Sequence, residues 1–306
     1  MTSEFDLIRR YFERPAASAA LGIGDDAALL RPAPGRELAV STDLLVEGTH
    51  FRPGAAPRAL GHKALAVNLS DMAAMGADPR WALLAISLPA ADEAWLAAFG
   101  EGLFALAARF GVELVGGDTT RGPLAVCVTI LGEVDEGRAL QRAGAVPGDD
   151  VWVSGELGAA ALGLAQPDVA AAAKRLDEPE PRVALGRRLI GLASAAIDVS
   201  DGFAQDLGHI LERSAVGAVV EYAALPRFQI ADPELQRRCV LAGGDDYELV
   251  FTAPQRAREA LRALAGELEL PLSRVGFVRA EPRALEVRDA AGVPIPLGRG
   301  FDHFSA

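Results

Sequence analysis

Cysteine and lysine are scarce in this chain of 306 residues. The two cysteines, Cys127 and Cys239, lie far apart and match no zinc or redox spacing, so we expect reduced side chains in the core. The lysines are Lys63 and Lys174 alone, so a site for phosphorylated ligands would have to use arginines, backbone N–H groups or divalent cations. No apolar run approaches the roughly 20 residues of a membrane span, and the first residues lack a signal-peptide pattern. We therefore expect a cytoplasmic protein without a membrane partner.

Positive charge is also limited, because 30 Lys and Arg stand against 42 Asp and Glu, a formal net charge of −12. This balance argues against a nucleic-acid backbone as partner. Hydrophobic residues make up 50% of the chain, and its length is sufficient for two domains with separate cores. A turn-rich passage over 137–149 predicts the boundary. We expect an N-terminal domain over 1–140 and a C-terminal domain over 141–306.

Hydrophobic periodicity gives a coarse outline of the elements. It predicts helices over 3–13, 57–76, 91–110, 181–192, 205–213, 233–241 and 255–267. It predicts strands over 37–43, 81–88, 124–134, 150–154, 217–222, 248–252, 273–278, 284–287 and 293–297, with short strands beginning at 112 and 195.

Asp71 lies in the apolar part of the helix predicted from Pro57 to Gly76. An ionised carboxylate buried there is costly unless a cation or several donors compensate it. A salt bridge to an arginine, a local cap or a metal ion would each do so. We favour a metal ion because other carboxylates occur where predicted strands end, and ligand-binding groups collect at such positions in α/β folds.

Several other carboxylates share these surroundings. Asp198 lies in an apolar strand, whereas Ser200 or Asp201 could simply be the N-cap of the next helix. Carboxylates in one pocket repel each other, which raises their pKa values or unfolds the site unless cations are present. Hard oxygen ligands without a Cys or His cluster indicate Mg²⁺, with Ca²⁺ as the alternative. The candidate set is Asp25, Asp26, Asp43, Asp71, Asp118, Asp198 and Asp201.

Familiar nucleotide motifs are absent from the sequence. There is no P-loop, protein-kinase motif set or EF-hand loop, and Gly22-Ile-Gly24 lacks the third glycine of a dinucleotide fingerprint. Mg²⁺ ions on another scaffold could still bind nucleotide phosphates. Arg142 is either a phosphate contact or a solvated surface residue, and His50 either a ligand contact or a surface residue. Phe301 either fills a core or interface or stacks on a ligand.

An ordered set of motifs resembles the bacterial thiamine-monophosphate kinase family over essentially the whole chain. The motifs are Gly22-Ile-Gly-Asp-Asp-Ala, Ser41-Thr-Asp, Gly48-Thr-His-Phe, the segment 63–77, Gly116-Gly-Asp-Thr-Thr-Arg-Gly, Ile197-Asp-Val-Ser-Asp-Gly, Asp246-Tyr-Glu-Leu and Gly300-Phe-Asp-His-Phe. The resemblance implies the two-domain fold of aminoimidazole ribonucleotide synthetase, α/β plus α+β. It implies an N-terminal sheet that pairs with its twin in a homodimer. It also implies Mg²⁺-dependent conversion of thiamine phosphate to thiamine diphosphate, with several ions and with ATP as co-substrate.

The resemblance also assigns roles position by position. It implies metal ligands at Asp26, Ser41, Thr42, Asp43, Asp71, Asp118, Asp198 and Asp201, of which Asp71 and Asp201 would be catalytic. It implies nucleotide contacts at Gly117, Asp118, Arg142 and Ser200, and thiamine phosphate contacts at His50, Asp245 and Phe301. The family commonly has Glu at the position of Asp245, and often Tyr or Trp at the position of Phe301.

We expect direct in-line transfer of the γ-phosphoryl group without an enzyme nucleophile, because positioning and charge neutralisation can carry most of the catalysis. One alternative is another ATP-using enzyme of this fold, such as a purine-pathway synthetase, a selenophosphate synthetase or a hydrogenase-maturation dehydratase. The second of these needs an early cysteine or selenocysteine and the third a cysteine at the C-terminal tail, and this chain has neither. The other alternative is a non-catalytic nucleotide- or metal-binding relative, against which the full carboxylate set argues.

Overall fold

A computed structural model describes residues 4–298, 300–301 and 303–304 of the chain. The chain divides into two compact units. The first unit comprises the residues up to Met72 together with Ala77–Gly137, and the second comprises Ala73–Gly76 with the residues from Arg138 onward. Within the described ranges, no helix is long and apolar enough to cross a membrane.

A four-stranded sheet is the centre of the first unit. A short helix α1 (Glu4–Leu7) continues as a π-helical turn (Ile8–Phe12), and the elements that follow are β1 (Arg36–Val46), α2 (Pro57–Met75), β2 (Asp78–Leu88), α3 (Glu93–Phe110), β3 (Glu113–Arg121) and β4 (Ala125–Asp135). The strand order is β1-β4-β2-β3. Strands β2 and β3 are parallel, and the other two pairings are antiparallel.

Helices α2 and α3 approach each other closely at two glycines. A Cβ at Gly61 would lie 2.1 Å from the carbonyl oxygen of Phe99, and a Cβ at Gly102 would lie 1.8 Å from that of Arg58. Glycine is therefore required on both helices for this packing. The Asp92 carboxylate caps the first turn of α3 by accepting the N–H groups of Ala94 and Trp95 at 3.0 Å.

A six-stranded sheet is the centre of the second unit. Its elements are β5 (Asp150–Ser154), α4 (Ala159–Ala165), α5 (Ala170–Asp177), α6 (Val183–Leu189), β6 (Ala195–Asp198), α7 (Phe203–Ser214), β7 (Gly217–Glu221), α8 (Pro233–Ala242), β8 (Leu249–Ala253), α9 (Arg258–Glu267), β9 (Leu272–Arg279) and β10 (Leu285–Arg288). The strand order is β10-β7-β9-β5-β8-β6. Helix α7 buries Phe203, Leu207 and Ile210 in the core of this unit.

Two predicted strands differ from the structure in length. Strand β1 continues to Val46, because it pairs with β4 along its whole length, so Asp43 lies inside the strand and not at its end. Likewise, the short strand predicted to begin at 112 continues to Arg121, because its residues pair with β2 as far as Arg121.

Three further expectations need correction. No strand forms over 293–297, all of which the structure describes; Pro294 and Pro296 lack the N–H groups that a ladder needs. The first helix is partly π-helical, and its predicted start at Ser3 lies outside the described residues. Cys239 is buried as expected, whereas Cys127 on β4 is partly exposed.

Candidate active site

Three polar side chains of β1 and α2 meet in the first unit. Ser41 Oγ donates to Asp71 Oδ2 at 2.6 Å, and the carboxyl groups of Asp43 and Asp71 share a hydrogen bond. Burial, with the negative charge of Asp71 as the second cause, raises the pKa of Asp43 to about 7. Two neighbouring carboxyl groups with a hydroxyl group beside them form an oxygen-rich set that suits a hard divalent cation.

Thr42 does not join this group through its side chain. Its Oγ1 donates to the carbonyl oxygen of Val128 at 3.1 Å and lies 2.8 Å from Thr129 Oγ1. Successive side chains of a strand point to opposite faces, so Thr42 points away from Ser41 and Asp43. A metal contact from Thr42 on the side of Asp71 would therefore have to use the backbone.

His50 lies in the turn after β1 and is held by its backbone and by its ring. Its Nδ1 accepts the N–H of Val46 at 3.0 Å, and Lys63 Nζ donates to its carbonyl oxygen at 3.2 Å. An imidazole nitrogen that accepts a backbone N–H is unprotonated, so the neutral ring carries its proton on Nε2. His50 can therefore donate a hydrogen bond to a ligand through Nε2.

A cavity of about 740 Å³ in the first unit brings together Asp26, Gly117 and Asp118. A cavity of this size is typical of small-molecule sites. Gly117 has φ +147°, and a Cβ there would lie 1.8 Å from the carbonyl oxygen of Leu84. Only glycine therefore allows β3 to place Asp118 at this edge of β2. Apolar walls come from Phe5, Ile8, Phe12, Leu84 and Leu114.

The Asp43–Asp71 pair and the cavity that contains Asp26 and Asp118 lie at separate places on the sheet of the first unit. Asp43 pairs with Val128, Val128 with Leu84, and Leu84 with Gly117, so Asp43 and Gly117 lie in one row at three strand spacings. Three spacings amount to roughly 14 Å. Within the residues that the structure describes, no group of three or more His, Cys, Asp or Glu side chains is placed to hold a metal ion.

In the second unit, a tight turn follows β6 and leads into α7. Asp198, at the end of β6, is 5% exposed. The N–H groups of Ser200, Asp201 and Gly202 all donate to Asp206 Oδ2, at 3.1, 3.1 and 3.0 Å. The N-cap of α7 is Gly202, so the alternative in which Ser200 or Asp201 caps this helix is wrong.

Asp206 is a site residue that our sequence analysis missed. It is 2% exposed on α7, and burial, with the charge of Asp201 as the second cause, raises its pKa to about 7. An aspartate among the apolar positions Phe203, Leu207 and Ile210 was the signal that could have identified it.

Asp245 lies beside this turn. The N–H of Asp245 donates to the carbonyl oxygen of Ser200, and the N–H of Tyr247 to that of Val199, both at 2.8 Å. Asp245 has φ 64° and Tyr247 has φ 50°, a region that residues with side chains rarely adopt. Tyr247 OH donates to Asp245 Oδ1 at 3.0 Å, which orients the carboxylate. Backbone strain of this kind often marks a functional site.

Phe301 also lies at the turn. Its N–H donates to the carbonyl oxygen of Asp201 at 3.0 Å, and its ring is half exposed. The interpretation of Phe301 as a plug for the core is therefore wrong, and its ring is accessible to a ligand. The ring packs edge-on against that of His303, with centroids 4.7 Å apart.

Arg142 is placed elsewhere in the second unit. Its carbonyl oxygen accepts Ser214 Oγ at 3.3 Å, at the last residue of α7, whereas Asp201 precedes the first. The twelve residues of α7 span roughly 18 Å. Arg142 is exposed and lines a cavity of about 680 Å³ with His209, Glu212, Arg213 and Arg283.

The sequence relatives of the chain cover both units. The family model of the AIR synthase related protein, N-terminal domain, matches residues 24–134, and the model of its C-terminal domain matches residues 146–287. The thiamine-monophosphate kinase of Escherichia coli strain K12 is 47% identical over 322 aligned positions, which cover 99% of this chain and 98% of the relative. The chain belongs to the thiamine-monophosphate kinase family.

Solved structures of the thiamine-monophosphate kinase family have the same fold. The crystal structure of thiamine-monophosphate kinase from Stenotrophomonas maltophilia K279a has a TM-score of 0.85 at 46% identity, covering 94% of this chain and 95% of that chain. AaThiL complexed with AMPPCP and TMP has a TM-score of 0.78 at 29% identity, covering 90% and 89%. The predicted fold, α/β plus α+β as in aminoimidazole ribonucleotide synthetase, is confirmed.

Proposed function

We propose that this member of the thiamine-monophosphate kinase family transfers the γ-phosphoryl group of ATP to thiamine phosphate, giving thiamine diphosphate and ADP. The observation that carries the proposal is its similarity to AaThiL complexed with AMPPCP and TMP, since AMPPCP is an ATP analogue. The relationship to the Escherichia coli kinase, at 47% identity over nearly the whole of both chains, supports the same substrates.

The reaction is a direct in-line displacement. A phosphate oxygen of thiamine phosphate forms a new bond to the γ-phosphorus of ATP, while the bond from that phosphorus to the β–γ bridging oxygen breaks. The electron pair of the broken bond leaves with ADP. The attacking oxygen is already ionised near neutral pH, so the protein need not supply a strong base. Its task is to position the two phosphates and stabilise their charge.

Mg²⁺ is the metal that the donor set fits, because the candidates are carboxylate and hydroxyl oxygens. The nearness of the Asp43 and Asp71 carboxyl groups supports this fit, since a cation would offset the burial and the repulsion that raise the pKa of Asp43. Several bound ions would neutralise the charge of the phosphates. In the first unit Asp26, Ser41, Asp43, Asp71 and Asp118 would hold them, with Thr42 through its backbone, and in the second unit Asp198 and Asp201.

The nucleotide contacts that we propose are Gly117, Asp118, Arg142 and Ser200. The cavity lined by Gly117 and Asp118 supports their part, because its volume suits a small-molecule ligand and Asp26 also lines it. Gly117 allows β3 to pack against Leu84 of β2, which keeps Asp118 in the lining of this cavity.

His50, Asp245 and Phe301 are the proposed contacts of thiamine phosphate. His50 Nε2–H suits the phosphate as a hydrogen-bond donor. The exposed ring of Phe301 suits the cationic thiazolium of thiamine, which is attracted to an aromatic face. Asp245 keeps the carboxylate of the family's usual glutamate on a side chain that is one methylene shorter.

A homodimer is the assembly that we propose. Strand β1 is an edge strand of its sheet, and Leu38, Val40 and Leu44 on its outer face are 42%, 60% and 54% exposed. An exposed apolar edge strand favours association with another protein surface. A second copy of the chain has the same apolar strand, so two copies can bury these surfaces against each other.

The direct test is product formation from ATP, Mg²⁺ and thiamine phosphate, with free thiamine as the control acceptor. We expect ADP and thiamine diphosphate in equal amounts, from thiamine phosphate only. If the chain binds ATP but makes no product from thiamine phosphate, its substrate would be that of another ATP-using enzyme of this fold. ATP binding without any ADP release from a panel of acceptors would favour a non-catalytic relative.

A further inference from the structure

Gly300 and Phe301 lie against the turn that carries Asp201. We call residues Gly300–Phe301 the C-terminal strap. A Cβ at Gly300 would lie 2.7 Å from the carbonyl oxygen of Asp201 and 2.6 Å from Gln205 Oε1. The N–H of Phe301 donates to that same carbonyl oxygen at 3.0 Å. The strap therefore lies directly against the Asp201 turn and the first turn of α7.

Gln205 connects the C-terminal strap to the carboxylate of Asp201 through one amide group. Its Nε2 donates to the carbonyl oxygen of Phe301 at 3.1 Å and to Asp201 Oδ2 at 3.3 Å. A glutamine amide has two N–H donors on one nitrogen, so it can make both bonds at once. The backbone of Asp201 is fixed separately, by Asp206, so Gln205 acts on its carboxylate.

We propose that Gln205 is a positioning residue that couples the acceptor contact Phe301 to the carboxylate of Asp201. The proposal rests on the function proposed above, in which Phe301 contacts thiamine phosphate and Asp201 is a metal ligand. By holding the strap, Gln205 fixes the ring of Phe301 in place before the acceptor binds, which lowers the entropic cost of binding. By donating to Oδ2 of Asp201, it fixes the carboxylate rotamer and leaves the other oxygen for a cation.

The specific expectation is a loss of acceptor affinity. Gln205→Met keeps the length of the side chain and removes both donors. We expect the KM for thiamine phosphate to rise roughly tenfold, the energy of one or two hydrogen bonds, with the KM for ATP unchanged. The same weakening is expected in the Kd of thiamine phosphate, measured by calorimetry with a non-hydrolysable ATP analogue present. Gln166→Met, at an exposed glutamine of the same unit, is the matched control and should change neither value.

A double-mutant cycle separates coupling from a general structural effect. If Gln205 acts through Phe301, then Gln205→Met should have little further effect on the Kd in a Phe301→Ala background. Gln205→Glu, which puts acceptors in place of the donors, serves as a second variant if the methionine variant folds poorly, and should weaken binding at least as much.

The outcomes distinguish this proposal from the function on which it rests. A wild-type chain that makes no thiamine diphosphate overturns the proposed function. A wild-type chain that makes it, with unchanged acceptor Kd in both Gln205 variants, overturns the coupling alone. Effects of Gln205→Met and Phe301→Ala that simply add would also overturn the coupling.

Discussion

Ser41 Oγ donates to Asp71 Oδ2 at 2.6 Å, which connects the middle of β1 to a partly buried position of α2. The hydroxyl group compensates part of the cost of placing a carboxylate in an otherwise apolar helix. The carboxyl group of Asp43 also interacts with Asp71. Asp71 is thus held by groups that are themselves potential metal ligands.

Asp71→Asn and Asp201→Asn should each remove most of the activity and leave the fold intact. The amide has the shape of the carboxylate but lacks the charge that binds a cation, so we expect kcat to fall about 100-fold or more. Steady-state kinetics at saturating Mg²⁺ measure the loss of activity. Thermal unfolding followed by circular dichroism checks that the fold is intact. Asp168→Asn makes the same change at an exposed position and should alter neither kcat nor the unfolding temperature. Near-wild-type turnover in either site variant would contradict its assigned role.

Removing the Asp206 carboxylate should destabilise the second unit. Asp206→Ala leaves the N–H groups of Ser200, Asp201 and Gly202 without their acceptor, which we expect to cost about 2–4 kcal/mol. Asp206→Asn retains one oxygen acceptor and should lose less. Urea unfolding of both variants measures the difference. An alanine variant as stable as the wild-type chain would show that Asp206 does not hold the turn.

The fold could be predicted where local signals mark an element's ends. Helix α2 begins at Pro57 and ends before Gly76, which has φ +68°, and the sequence places both signals. The length of β1 could not be predicted in this way. It depends on pairing with β4, whose residues lie about ninety positions later in the chain, and no local pattern reports such a partner.

The residues of the candidate site likewise differ in whether the local sequence identifies them. Asp71 and Asp198 stand out locally, because a carboxylate in an apolar element needs a partner. Asp206 has the same local signal, whereas Gln205 does not, because its role depends on Phe301, which only the fold brings to it. The contact between Gln205 and Phe301 joins residues 96 positions apart.

The stability of the chain should depend on pH through Asp246. Its Oδ2 accepts the N–H of Gly158 at 2.7 Å, yet burial raises the pKa of Asp246 to about 8. The folded chain therefore keeps a proton that the unfolded chain has lost above about pH 4. The stability that this proton contributes is complete below pH 4 and is lost as the pH rises through 8, with a slope of at most about 1.4 kcal/mol per pH unit.

Urea unfolding at pH 5, 6.5 and 8 checks this sign. Asp246→Asn removes the titrating group and keeps an oxygen acceptor for Gly158, so the wild-type chain should lose stability relative to the variant as the pH rises. Curves that stay parallel from pH 5 to 8 would show that Asp246 is ionised in the folded chain throughout. Asp168→Asn, which changes an exposed carboxyl group, should follow the wild-type curve.

The outer face of β1 predicts how the chain associates. Val40 is 60% exposed on this edge strand, between the exposed Leu38 and Leu44, so a charge there would lie within the apolar surface. Val40→Lys should yield monomers in sedimentation velocity experiments, because burying an unpaired ammonium group in an interface is costly. Val293→Lys provides the control, since Val293 is 56% exposed and belongs to the second unit. If dimers persist in Val40→Lys but not in Val293→Lys, the interface lies in the second unit.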